Sequence, residues 1–469
     1  MSSLVVPSSR VEALDALSAF RTEFYACLTG RADALFELAD AVLCTEGPVT
    51  SLPELSLTYV HRRGHGAMYD ALASGKITPL RFRAALVGLP LPRWGGRITL
   101  GVDITPWPRP DAECSPGRCH CHRPCRCDGV RQTIPGWPYS MIAALEPGPS
   151  SWTALLDAIR IGPEDEVTEV TAAQVRGVVD ALVRAGQWHP GDPEILLVFD
   201  SGYDGTRLAF LLADLPVHLL VRIRCDRVFY GPGWPRADGG PGRPARHGHE
   251  LKCATACTHP VPSAQAEVVT SRYGTAKITA WGRQHQRLTR RGPWVGHLGE
   301  LPIVEGALIV VHVDRLPGDR DPRPLWLWHF GPQAVGVDIV ALFFAFLRRF
   351  DLEHTFRFFK QMLGWTRPRV RTPEQGELWT ALVIAAHTQL RLARQLAADL
   401  RRPWERPVAD PARLTPARVR RGFRRLRPKL ALPASAPKPA RPGPGRPKGR
   451  KSSPAPRHPV GKKRTEIGI

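Results

Sequence analysis

The stretch Phe346–Lys360, FLRRFDLEHTFRFFK, decides how the rest of the chain is read. It contains neither Pro nor Gly and is dense in Leu, Phe and Arg, which predicts one continuous helix. On a helix, residues four and seven apart share a face. Counted from Glu353, that face carries Arg349, Arg357, Lys360 and, a turn further back, Phe346. One carboxylate is thereby set in a basic stripe, while Leu347, Phe350, Phe358 and Phe359 are available for burial. An amphipathic helix with ordinary ion pairs is the plain alternative. Two features weigh against it: the spacing F-x2-R-x3-E-x6-K, and two aspartates at the ends of apolar runs upstream.

Those aspartates are Asp103, in Arg97–Thr105 (RITLGVDIT), and Asp200, closing Glu194–Asp200 (EILLVFD). Both runs read as strands, the second as one buried on both faces. Neighbouring strands of one sheet would set the two carboxylates side by side, and Glu353 would add a third from the helix. Hard divalent cations take oxygen donors of this kind. Two such ions about 4 Å apart can activate an oxygen nucleophile and stabilise the leaving oxygen of a phosphodiester. Asp204 is the rival for the second aspartate, but it stands where a helix N-cap belongs. Asp111, Asp128 and Asp192 fall in loops.

The spacing from Phe346 to Lys360 resembles the Y-x2-R-x3-E-x6-K signature of DDE transposases encoded by bacterial insertion sequences. Arg349, Glu353 and Lys360 match residue for residue, and Phe346 keeps the ring of the signature Tyr without its hydroxyl. The text DLEHTFRFFKQMLGWTRPRVR is similar beyond those positions. The resemblance implies an RNase H-like α/β core in which Asp103, Asp200 and Glu353 are the catalytic, metal-binding acids. It implies two Mg2+ (or Mn2+) ions, with Arg349 and Lys360 facing DNA phosphates beside Arg357. It further implies binding of inverted repeats, strand transfer to target DNA, and a homodimer in the synaptic complex. The rivals are another RNase H-like nuclease and a non-catalytic repressor derived from a transposase.

Around this centre the chain divides into five expected parts. Residues 1–95 are helical, at Val11–Leu28, Asp33–Val42, Ala67–Ala73 and Leu80–Val87, and suit a DNA-binding or a plain supporting domain. Residues 96–224 give three strands, a helix opening at Thr171, a strand, a helix and a strand, the order of an RNase H-like core. Residues 225–335 read as a β-rich insertion subdomain holding Trp281, Trp294, Trp326 and Trp328; each is either core packing or a platform for an unstacked base. Residues 336–402 complete the core with a helix from about Glu374 to Leu400. Residues 403–469 form a basic low-complexity tail, in which 411–430 could still be helical.

Charge placement supports a polyanionic partner. The chain of 469 residues has a net charge of +22. Residues 401–469 hold 21 Lys and Arg against 3 Asp and Glu, so +18 of the excess lies in the last seventh. Gly445-Arg446-Pro447 resembles an AT-hook, which would set Arg446 in a minor groove, but so short a core favours Arg446 as a generic contact to the DNA backbone. The cysteines Cys114, Cys119, Cys121, Cys125 and Cys127 share one loop, but the spacing C-x4-C-x-C-x3-C-x-C is not that of two C-x2-C knuckles. An exposed loop is favoured over a structural zinc site. No apolar run reaches the length of a membrane span, and the N-terminus lacks a basic start before an apolar block. A cytoplasmic, nucleoid-associated protein is expected.

Overall fold

The five residues Ile195–Phe199 are all buried, which requires cover on both faces. In the computed structural model this strand lies at the centre of a ten-stranded sheet. The structure describes residues 10–64, 66–123, 132–148, 150–234, 245–318, 320–331, 338–438, 449 and 453–461.

The chain opens with α1 (Arg10–Cys27), β1 (Leu28–Gly30), α2 (Ala32–Cys44), α3 (Leu52–Leu55), α4 (Gly66–Ser74), β2 (Lys76–Ile77) and α5 (Pro79–Val87). The first half of the core follows: β3 (Thr99–Pro108), β4 (Cys119–Arg123), β5 (Gln132–Leu145), β6 (Thr153–Arg160), α6 (Val167–Arg184), β7 (Ile195–Phe199), α7 (Gly205–Leu211) and β8 (Val217–Ile223). The insertion contributes β9 (Val228–Pro232), β10 (His247–Lys252), β11 (Ala264–Thr270), β12 (Gly274–Gln284), β13 (Gly306–Val313) and β14 (Leu325–Phe330). The closing helices are α8 (Ile339–Arg348), α9 (Phe350–Gln361), α10 (Pro373–Leu392) and α11 (Pro416–Leu426).

The sheet order is β11-β12-β13-β14-β8-β7-β3-β5-β4, with β6 also paired to β5. Only β3–β7 and β7–β8 are parallel. Period-two alternation divides β7 between two cores. Ile195, Leu197 and Phe199 pack with Val175, Val178, Val179 and Leu182 of α6 and with Leu208 of α7. Leu196 and Val198 pack on the other face with Phe343 and Phe346 of α8.

Several expectations change. The helix α6 starts at Val167 rather than Thr171, because the Glu166 side chain accepts from the Glu169 amide and caps the earlier turn. The stretch Phe346–Lys360 is not one helix: α8 ends and α9 begins on either side of Arg349, whose amide donates to Phe346 O at 3.1 Å. The insertion is not a separate layer: β14 pairs antiparallel with β8, so β11–β14 extend the core sheet. The helices α1–α5 share one hydrophobic core with α9, α10 and α11, so 1–95 is built into the body.

The last change concerns the basic tail. The α11 helix packs against α2 and α10, and several of its arginines make contacts within the fold, while Arg424 and Arg425 are exposed. Arg420 Nε donates to Val42 O at 2.9 Å, Arg418 Nε to Asp399 at 2.9 Å, and Arg424 pairs with Glu46. Arg427 Nε reaches Asp40 Oδ2 at 2.7 Å, and Arg21 Nη1 reaches Asp40 Oδ1 at 2.7 Å. Further on, the His458 amide donates to Glu113 O at 2.9 Å and the Gly461 amide to Arg118 O at 2.8 Å. Within 403–469, α11 takes up the helix expected in 411–430, and 453–461 is a mostly exposed irregular segment that touches the body at Glu113 and Arg118. The AT-hook-like Gly445-Arg446-Pro447 lies outside the described residues.

Asp40 is fully buried between two buried arginines. Removing one partner from a buried ionic network costs about 3–5 kcal/mol, since the remaining charges lose their compensation. Asp40→Ala is expected to lower unfolding stability by about that amount, read as a drop in the urea midpoint.

Candidate active site

The parallel ladder between β3 and β7 ends at Val102↔Phe199. The next residue on each strand is an aspartate, so register alone places Asp103 and Asp200 beside one another. Asp103 does not end its strand: β3 runs on to Pro108 because β5 continues to pair with it, to Pro108↔Gly136. Asp200 does end β7, and the chain then turns through Ser201-Gly202 into α7.

The third acid arrives by way of one cation. Arg349 Nη1 lies 3.0 Å from Asp103 Oδ2, and its Nη2 lies 3.5 Å from Asp200 Oδ2 and 3.3 Å from Glu353 Oε1. Its side chain is 3% exposed, against 18% for either aspartate and 47% for Glu353. The guanidinium carbon lies 5.8 Å from the Phe346 ring centroid and 5.3 Å from that of Phe350. The ring at position 346 thus packs on the arginine that gathers the acids, a contact that needs no hydroxyl. The break between α8 and α9 falls at this arginine, yet the i,i+4 relation to Glu353 survives it.

Burial pushes the Asp103 carboxyl up to about 6, although the Arg349 charge pulls the other way. Its Oδ1 also accepts from the Ile104 amide at 2.8 Å. On the same helix, burial lowers the Lys360 ammonium to about 8, opposed by Asp103, and Nζ lies 5.8 Å from the Trp365 ring centroid. Arg357 is exposed on the face of Glu353 and His354. Arg446 falls outside the described residues, so the structure assigns it no place.

Asp204 has the capping role read from the sequence, accepting from the Arg207 amide at 2.9 Å. The four tryptophans of the insertion, Trp281, Trp294, Trp326 and Trp328, are each at most 4% exposed and serve packing. Trp234, just past β9, is the exposed one, at 63%. Two residues went unnoticed in the sequence. Tyr203 has its hydroxyl buried within the field of Asp103 and Asp200, and burial holds its proton well above the usual phenol range. Arg272, in the turn joining β11 to β12, adds positive charge felt at His354 beside Glu353. Neither carries a motif; only the fold brings them here.

The donor set fits hard cations: three carboxylates and no thiolate. Among the described residues no three His, Cys, Asp or Glu side chains gather closely enough to hold an ion by themselves. The triad is spaced by the guanidinium of Arg349. The same observation leaves the cysteine loop without a metal cluster among its described residues. Cys121 is buried, with its thiol pushed up to about 12, and Cys114 is exposed; Cys125 and Cys127 lie outside the described residues.

Two titrations follow. Carboxylates bind cations in the deprotonated form, so Mn2+ affinity of the free protein is expected to fall as pH drops through about 6, checked by titration calorimetry. DNA binding is expected to weaken as pH rises through about 8, where Lys360 loses its charge. Lys360→Arg should abolish that upper limb in a filter-binding profile.

A comparison with curated proteins finds no match. A protein-family profile, DDE superfamily endonuclease, matches residues 23–287. The matched span includes Asp103 and Asp200 and stops before Glu353, which the geometry alone joins to them. With more than half of its length in that match and two of the three acids inside it, the chain belongs to the DDE superfamily of endonucleases.

Proposed function

We propose that this endonuclease is the transposase of a bacterial insertion sequence. It binds the inverted repeats at the ends of its element, cleaves there, and joins the freed 3′-hydroxyl to target DNA. The observation that carries this reading is the meeting of Asp103, Asp200 and Glu353, 250 residues apart at the extremes, on the single guanidinium of Arg349. Endonucleases of this superfamily generally use divalent metal ions; the reading specifies two Mg2+ or Mn2+ ions held by the three acids.

Bound there, the ions would supply the Lewis-acid charge that activates water or a 3′-hydroxyl and steadies the leaving oxygen. The side chains supply the rest. Asp103 and Asp200 are fixed by the sheet, so their carboxylates are positioned before any substrate arrives. Glu353, half exposed at the rim, completes the donor set from α9. Arg349 neutralises the acids and, released from them, offers a planar fork to a phosphate. Lys360, half-buried near Asp103, presents a point charge to the strand, and exposed Arg357 extends the basic face outward. Synapsis of two ends requires two copies of the chain.

Cleavage of a supercoiled plasmid carrying the element's ends tests the reading. Wild type is expected to nick it only with Mg2+ or Mn2+, and Asp103→Ala, Asp200→Ala and Glu353→Ala are each expected to reduce nicking to background. Activity retained by Asp200→Ala contradicts it. Lys360→Ala is expected to weaken DNA binding about tenfold or more, as for a lost hydrogen bond to a charged group, while Mn2+ binding is unchanged. Equal DNA binding by Lys360→Ala would remove that residue from the interface.

A further inference from the structure

The strand β8 delivers three arginines beside the catalytic acids that the reading above leaves unused: Arg222 at its end, then Arg224 and Arg227 in the following turn. All three are exposed. With Ser201, Gln286 and Trp328 they border a cavity of about 190 Å³ that opens next to Asp200. Arg222 Nη1 stands 3.5 Å from Asp200 Oδ1, with the arginine side chain 47% exposed. Arg224 pairs only loosely, at 3.4 Å, with the exposed Asp226. The guanidinium of Arg227 has no carboxylate partner among the described residues. Asp204 also borders the cavity, but its oxygen is turned to the Arg207 amide and the Thr206 hydroxyl.

The pocket thus has cationic walls with spare hydrogen-bond donors and a side-chain amide donor in Gln286, and Ser201 and Gly202 line it beside Arg222. These are requirements for an anion of tetrahedral shape, and guanidinium forks suit phosphate oxygens. Trp328 is 1% exposed, so it forms a floor and offers no free face for stacking a base. The pocket's neighbour is Asp200, so an anion seated here lies along the strand being cut.

We propose that Arg222, Arg224 and Arg227 form a phosphodiester-binding pocket that seats the DNA backbone adjacent to the scissile position. The inference rests on the nuclease reading for its location, while the pocket's anion chemistry stands without it. Seating the phosphate here fixes the register of the strand against the acids. Arg222 then exchanges a loose contact with Asp200 for a phosphate oxygen.

The test measures binding of the full-length protein to a short mixed-sequence DNA duplex over a range of KCl, without divalent ions. Arg227→Ala and Arg224→Ala are each expected to weaken binding and to reduce the slope of log K against log salt by about 1 per lost phosphate contact. Arg227→Lys should restore the slope. Arg81→Ala, an exposed arginine paired with Glu23 on α1, controls for loss of surface charge alone and is expected to match wild type. Wild-type affinity and slope in both Arg224→Ala and Arg227→Ala overturn the pocket, as does an equal loss in Arg81→Ala. Unchanged thermal midpoints establish that the exposed substitutions fold. The two readings separate cleanly. Asp200→Ala that still cleaves sinks the nuclease assignment without touching the salt slopes. Pocket variants that bind like wild type sink the pocket while Asp200→Ala remains inactive.

Discussion

One buried guanidinium organises this molecule. Three carboxylates near one another repel, and burial further raises the cost of charging Asp103. Arg349 offsets both penalties by presenting its two terminal nitrogens to Asp103, Asp200 and Glu353 at once. That geometry demands that the arginine be held as firmly as the acids. Phe346 and Phe350 flank it, and the tight turn between α8 and α9 sets it beside the point where the β3–β7 pairing ends. The sheet, in turn, fixes the aspartates by register. The parallel pairing of β3 with β7 ends one residue before each of them.

A second constraint lies at the other end of the body. Asp40 on α2 accepts from Arg21 of α1 and from Arg427 after α11. Gln389 of α10 joins through a 2.5 Å contact with Arg21. The first and last thirds of the chain are thereby locked around α10. The helical N-terminal region and the arginine-rich C-terminal region are consequently parts of the scaffold that holds α9. Their charge is partly consumed in that work, and it cannot all be offered to DNA.

Much of this was legible in the sequence where the signal was local. The apolar run at Glu194–Asp200 announced a strand covered on both faces, and the burial of all five residues of β7 bears that out. The N-cap role of Asp204 followed from a small polar residue before a helix. Asp103 and Asp200 stood out because each closes an apolar run in the sequence, although β3 continues past Asp103 to Pro108. What escaped was non-local or depended on partners. No Pro or Gly marks the break at Arg349, whose side chain is held by the three acids. Nothing in 225–335 shows that β14 will pair with β8, because antiparallel joining of distant strands has no sequence period of its own. A count of positive charges in 401–469 cannot tell a free arginine from Arg420, which donates to Val42 O. Tyr203 and Arg272 reach the site only through the fold.

The central claim is that Asp103, Asp200 and Glu353 share one cation-binding site. Localised oxidative cleavage tests it most directly: Fe2+ substituted for the native ion, with ascorbate and peroxide, cuts the polypeptide nearest the bound metal. The account predicts backbone cuts clustered around residues 103, 200 and 353, all suppressed together by excess Mg2+. Cuts confined to one of these segments, or scattered over the surface and indifferent to Mg2+, would contradict it.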